Sequence, residues 1–129
     1  MTGDERTGRS TLEPIRAQLI RYCRDKKHRG ASFNKENPTR WHPKDVIDPR
    51  SRLAVPFGKN EEWSFIAETL EQGHEIEEIE LRIPAGKKGY VIKISVEHEL
   101  SPIYIKLQLG GRGVMGRSFH YSEPRREFV

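Results

Sequence analysis

The twenty residues IYIKLQLGGRGVMGRSFHYS, 103–122, limit the fold more than any other part of the chain. Ile103, Ile105, Leu107 and Leu109 alternate with Tyr104, Lys106 and Gln108. A period of two places the first set on one side of a strand and the second on the other, so one face is covered and one is open. The glycines at 110, 111 and 113 then reverse the chain, and a second strand is expected from Val114 to about Tyr121. Upstream, Tyr90, Ile92, Ile94 and Val96 repeat the alternation. So do Ile79, Leu81 and Ile83, with Pro84–Gly89 as the turn between them. Strands joined by short turns pair antiparallel.

A strand set with one apolar face needs a cover, and two segments have helical spacing. Leu12, Ile15, Leu19 and Tyr22 or Cys23 form one stripe over about 11–25, with Ser10 and Glu13 as a capping box. Trp63, Ile66, Ala67 and Leu70 form another, entered at Asn60 and left at Gly73, with Glu61 and Glu62 at the positive end of the helix dipole. Between them, the segment from Asp25 onward carries Gly30, Asn34, Asn37, Pro38 and Pro43, which deny a regular element. It is expected to be a long basic loop over 25–45, with Trp41 and Phe33 as its only large apolar anchors. Leu53, Val55 and Phe57 suggest a short edge strand.

The expected fold is therefore α+β: a four- to five-stranded antiparallel sheet with one or two N-terminal helices packed on one face. In these terms residues 1–9 are a disordered tail, 10–122 a single domain and 123–129 a C-terminal tail. At 129 residues, 34% hydrophobic and 33% charged, the chain suits one modest core. No run of eighteen apolar residues occurs and no apolar leader follows Met1, so neither a membrane span nor a secretory signal is expected. A single cysteine, Cys23, fits a reducing cytoplasm.

Charge is patterned rather than extreme. The net charge is +4, yet residues 21–50 hold nine Lys or Arg against four acids, and 61–80 hold eight glutamates and no Lys or Arg. An anionic ligand is drawn to the first region and repelled by the second within about 8 Å, the physiological Debye length. Lys26, Lys27, Arg29, Lys87, Lys88 and Arg112 are the candidate RNA-phosphate contacts.

Gly111–Gly116 fits G-x-G-x-x-G, but no helix follows it and no βαβ unit contains it, so it reads as a hairpin turn with Arg112 at its tip. The five histidines show no metal-binding spacing, and neither a metal nor a cofactor is expected. Cys23 lies on the first helical stripe and reads as a small core residue.

The final hairpin carries the chemistry. With Met115 and Phe119 buried, Ser118 and His120 share a face with Tyr104 and Lys106, while Arg117 turns to the apolar side. A one-residue slip, or a bulge at Gly113 or Gly116, brings Arg117 out and turns His120 in. Spacing leaves both registers open. A phenol, an amine, a hydroxyl and an imidazole on one surface suit metal-independent RNA cleavage. There a base takes the 2′-hydroxyl proton, an acid protonates the departing 5′-oxygen, and cations offset phosphate charge.

The stretch IYIKLQLGGRGVMGRSFHYSE, with the helix EEWSFIAETLEQG before it, resembles the MqsR-like and RelE-like RNA endonuclease toxins of bacterial type II toxin–antitoxin systems, within the barnase, EndoU, colicin and RelE grouping. Those proteins place helices before an antiparallel sheet and carry a Tyr-x-Lys strand followed by a closing basic-Ser-Phe strand. The resemblance spans about residues 60–122 and leaves the first 58 outside it. It implies a RelE-like fold, with function carried by Tyr104, Lys106, Arg117, Ser118, His120 and Tyr121. It further implies cleavage of mRNA or tRNA, on or off the ribosome, growth arrest, and a cognate antitoxin covering the site. Two other readings stand beside it: a non-catalytic RNA- or DNA-binding module on the same basic face, and an antitoxin or adaptor subunit engaged through the Glu-rich segment 61–80.

Overall fold

A computed structural model describes residues 3–31, 39–97 and 99–122, with side chains from residue 12 onward. Two helices and six strands follow one another in the order α1 (Gly3–Cys23), β1 (Arg29–Gly30), β2 (Arg40–Trp41), α2 (Glu61–Glu71), β3 (Glu77–Glu80), β4 (Lys88–Ile94), β5 (Ile103–Leu109) and β6 (Val114–Tyr121). The sheet runs β1-β6-β5-β4-β3, with β2 also paired to β6. The fold is α+β as the alternation requires. Among the described residues no helix is long and apolar enough to cross a membrane.

The strands β3 to β6 form the antiparallel meander, but the sheet is mixed: β1 and β2 both run parallel to β6 along its outer edge. The expectation of a wholly antiparallel sheet is thus corrected, and the long basic loop expected over 25–45 contributes two short strands. Two-residue strands contain no period to read. What docks them is tertiary contact, because Trp41 stacks on Trp63 at 4.9 Å between ring centroids and meets Phe119 edge-on at 5.4 Å. The Trp41 ring lies where a Cβ on Gly116 would stand, and the His28 carbonyl where one on Gly113 would, so both glycines are needed for this edge to close. Phe33, Asn34, Asn37 and Pro38 lie outside the described residues, as does the tail 123–129.

Both helices cover one face. Ile92, Ile103, Ile105, Leu107 and Phe119 are fully buried beneath Leu19, Ile66 and Leu70. Arg16 Nη1 on α1 donates to the carbonyls of Leu70 and His74, tying α1 to the C-terminal end of α2 and the residues after it. Arg24 grips Glu71 with two bonds at 2.7 and 3.0 Å. Helix α1 begins at Gly3 rather than near Ser10, so Ser10 falls within it instead of at its start. Extending a formed helix adds one bond per residue, which is far cheaper than starting one.

Three further expectations change. The segment 53–57 is not an edge strand: its one bridge joins Ile47 to Pro56, Leu53 is 84% exposed and Ala54 takes a left-handed φ of 55°, while Phe57 alone enters the core against Phe65 and Phe119. Proline cannot extend the pairing. Arg50 organises this loop instead, bonding the Asp48 carboxylate at 2.9 Å and Ser64 Oγ at 3.1 Å. Strand β3 stops at Glu80, and Leu81 is buried within the turn, its N–H donating to the Lys87 carbonyl. Asn60 does precede α2, but in a left-handed conformation and without a side-chain cap bond. Since Ala54 carries a Cβ penalty of about 1–2 kcal/mol in that conformation, Ala54→Gly is expected to raise stability by about 1 kcal/mol in urea unfolding. No gain would mean that the turn is relaxed.

Candidate functional site

The register of β5 and β6 decides which side chains meet. Tyr104 pairs with His120 and Lys106 with Ser118, but Leu107 pairs with Gly116, so Arg117 is an extra residue in β6. This bulge resolves the two registers into one that neither describes. Ser118 and His120 stay on the open face with Tyr104 and Lys106. Arg117 comes to the same face, because a bulge lets neighbouring side chains leave a strand together, and there it and Ser118 are each only 5% exposed. Its guanidinium donates through Nη1 to Gln108 Oε1 and through Nη2 to the Ile83 carbonyl, both at 2.6 Å. The register that sends Arg117 to the apolar side and Met115 to the core is not the one found, and of the bulged alternative Arg117 comes out but His120 does not turn in: Met115 pairs with Gln108, and Val114 is buried.

Strand β2 adds a residue that the hairpin alone did not suggest. With Trp41 turned into the core opposite Phe119, Arg40 stands beside Ser118 on the open face. Alternation about an anchored Trp41 was the only signal for this, and it required knowing that 40–41 is a strand. Gln108, which positions Arg117, was likewise not singled out.

The electrostatics follow from crowding. Burial lowers the Lys106 pKa, and the neighbouring charges of Arg117 and Arg40 lower it further. Burial also lowers that of Arg117, which nevertheless stays cationic. Tyr104 is raised by burial and then by Glu77, so its hydroxyl keeps its proton. The Tyr104 and His120 rings stack at 5.5 Å and 25°. His120 Nδ1 lies 2.9 Å from the Tyr121 carbonyl, which can only accept, so this nitrogen carries the proton. In the neutral ring Nε2 then bears a lone pair and can act as a base.

Two cavities open on this face. One of about 340 Å³ is lined by Tyr104, His120 and Ser122, the other of about 400 Å³ by residues 79–83 and Arg117; Arg40, Lys106 and Ser118 border both.

The remaining candidates are scattered. Tyr121 falls on the helix side, where its hydroxyl accepts from the Ile47 N–H. Lys27 and Arg112 line a third cavity at the glycine turn, while Lys26 is exposed beside it and Lys87 is exposed on the β3–β4 turn. Arg29 lines the same third cavity as Lys27 and Arg112 and is held there, half-buried, by a bond to the Cys23 carbonyl at 2.7 Å and by its place over Trp63. Lys88 is committed to Glu78 at 2.8 Å. Cys23 is fully buried, its thiol pushed up to about 12 by desolvation, which removes it as a nucleophile near neutral pH. Among the described residues no three His, Cys, Asp or Glu side chains converge as a metal-binding group.

The lowered Lys106 pKa carries a stability consequence. The folded state holds this proton more weakly than the unfolded chain. The charge therefore costs stability throughout the neutral range, and the cost fades as pH rises through the folded pKa toward 10.5. Because solvent screens the group, Lys106→Met should gain no more than about 1 kcal/mol at pH 7. Urea unfolding at pH 7 and pH 10 should show the gain shrinking with pH; a gain that grows would contradict it.

No known family, no curated protein and no solved structure matches the chain.

Proposed function

We propose that the protein is a metal-independent endoribonuclease acting on single-stranded RNA, and the toxin of a toxin–antitoxin pair. The observation that carries this reading is the bulge at Arg117, which leaves His120 and Ser118 facing Tyr104 and Lys106. His120 Nε2 takes the proton of a 2′-hydroxyl as that oxygen attacks phosphorus. The bond from phosphorus to the 5′-oxygen breaks, and Tyr104 returns a proton to the departing oxygen. Lys106 and Arg40 offset the charge that builds on the phosphoryl oxygens, and the Ser118 hydroxyl donates to one of them. The products are a 2′,3′-cyclic phosphate and a 5′-hydroxyl. The toxin role rests on the resemblance of residues 60–122 to RelE-like toxins, and an antitoxin would mask this open face.

The test is incubation of end-labelled single-stranded RNA with the protein in EDTA. Cleavage leaving a cyclic phosphate is expected. RNA that binds but stays intact would favour the non-catalytic binding reading, and cutting lost in EDTA would overturn the metal-free mechanism.

A further inference from the structure

The two cavities that meet at Arg40, Lys106 and Ser118 differ in character. The one on the far side from His120 has apolar walls from Ile79, Leu81 and Ile83, and its volume of about 400 Å³ suits a small organic ligand. Ile79 stands in β3 opposite Gly89 of β4, and Leu81 and Ile83 follow as the chain enters the 82–86 turn; the missing side chain at Gly89 leaves the space that Leu81 and Ile79 border. Arg117 borders it, held through both terminal nitrogens by Gln108 and the Ile83 carbonyl. A guanidinium pinned in that way cannot follow a moving phosphate as a lysine would; it is a rigid, flat, weakly hydrated cation. Arg117 is only 5% exposed, so it bounds the cavity as a fixed cation while the aliphatic wall supplies most of the surface on which an unpaired base stacks.

Resting on the RNA-cleaving reading above, we infer that this cavity seats the nucleobase on one side of the phosphate held at Lys106 and Ser118. The Tyr104–His120 cavity takes the nucleoside on the other side. The site is thus a reader of one unpaired dinucleotide step, and Arg117 bounds its base pocket as a fixed cation. A paired base cannot enter, so duplex RNA is excluded.

The test uses NMR of the wild-type protein with dinucleoside monophosphates of all four bases, 2′-fluorinated to block cleavage, beside inorganic phosphate and an analogue lacking both bases. The dinucleotides should move the methyl signals of Ile79 and Ile83 upfield through the ring current. Inorganic phosphate and the baseless analogue should move only signals around Lys106 and Ser118. Ile79→Ala/Ile83→Ala should weaken dinucleotide binding by about fivefold to a hundredfold, the usual loss of one stacked base, and leave phosphate binding unchanged; Arg117→Lys should weaken dinucleotide binding as well. Isoleucine methyls that stay still while Lys106 responds would overturn the base pocket and leave the RNA reading standing. No response at Lys106 or Ser118 to any of these ligands would overturn both.

Discussion

Replacing His120 by alanine is expected to slow RNA cleavage by about 10²- to 10⁴-fold, the range for loss of a general acid or base. Affinity for RNA should barely change, because the cations at Arg40, Lys106 and Arg117 remain. The hydrogen bond from Nδ1 to the Tyr121 carbonyl gives the test its sharpness, since it leaves Nε2 as the working nitrogen. Added imidazole should restore part of the lost rate in the His120→Ala protein. Tyr104→Phe should also slow cleavage while keeping the stacked ring. In cells, induction of the wild-type gene should arrest growth and induction of His120→Ala should not. A His120→Ala protein that cuts at the wild-type rate across pH 6 to 8 would remove His120 from the mechanism.

Much of this face was readable from alternation alone. Ile103, Ile105 and Leu107 are fully buried, so Tyr104 and Lys106 had to point the other way, and the limits of β5 and β6 follow the same pattern. The bulge was less legible. It depends on Gly116 yielding space to Trp41, a residue 75 positions earlier, and no local period reports such a contact. Charge counts failed differently. Arg29 and Lys88 contribute to a basic composition, yet one caps the end of α1 and the other is paired with Glu78. Composition gives the number of cations but not their direction. Leu53 and Val55 show the converse error, since alternation without a partner strand left them exposed at 84% and 48%.

Trp41 is where fold and site depend on each other most. Its ring stacks on Trp63, meets Phe119 and rests against Gly116, and its indole N–H donates to Glu62 Oε2 at 3.0 Å. Glu62 is only 5% exposed, and its other oxygen, Oε1, has no hydrogen-bond partner. Trp41→Ala removes the aromatic contacts and strips Glu62 of the one donor that Trp41 supplies. The expected loss is about 3–5 kcal/mol, combining a vacated ring with a less satisfied buried carboxyl group. Trp41→Phe keeps part of the stacking but loses the N–H and part of the ring volume, so about 2–3 kcal/mol should go. Urea unfolding measures both. Because Trp41 pins β2, and β2 sets Arg40 beside Ser118, the phenylalanine protein should fold and bind RNA close to normally, whereas Gly116→Ala, whose methyl would strike the ring, should displace β2 and lower cleavage as well as stability. If Trp41→Ala unfolds at the wild-type urea concentration and Gly116→Ala cuts RNA at full rate, β2 is not held on β6 in this way and Arg40 is not part of the site.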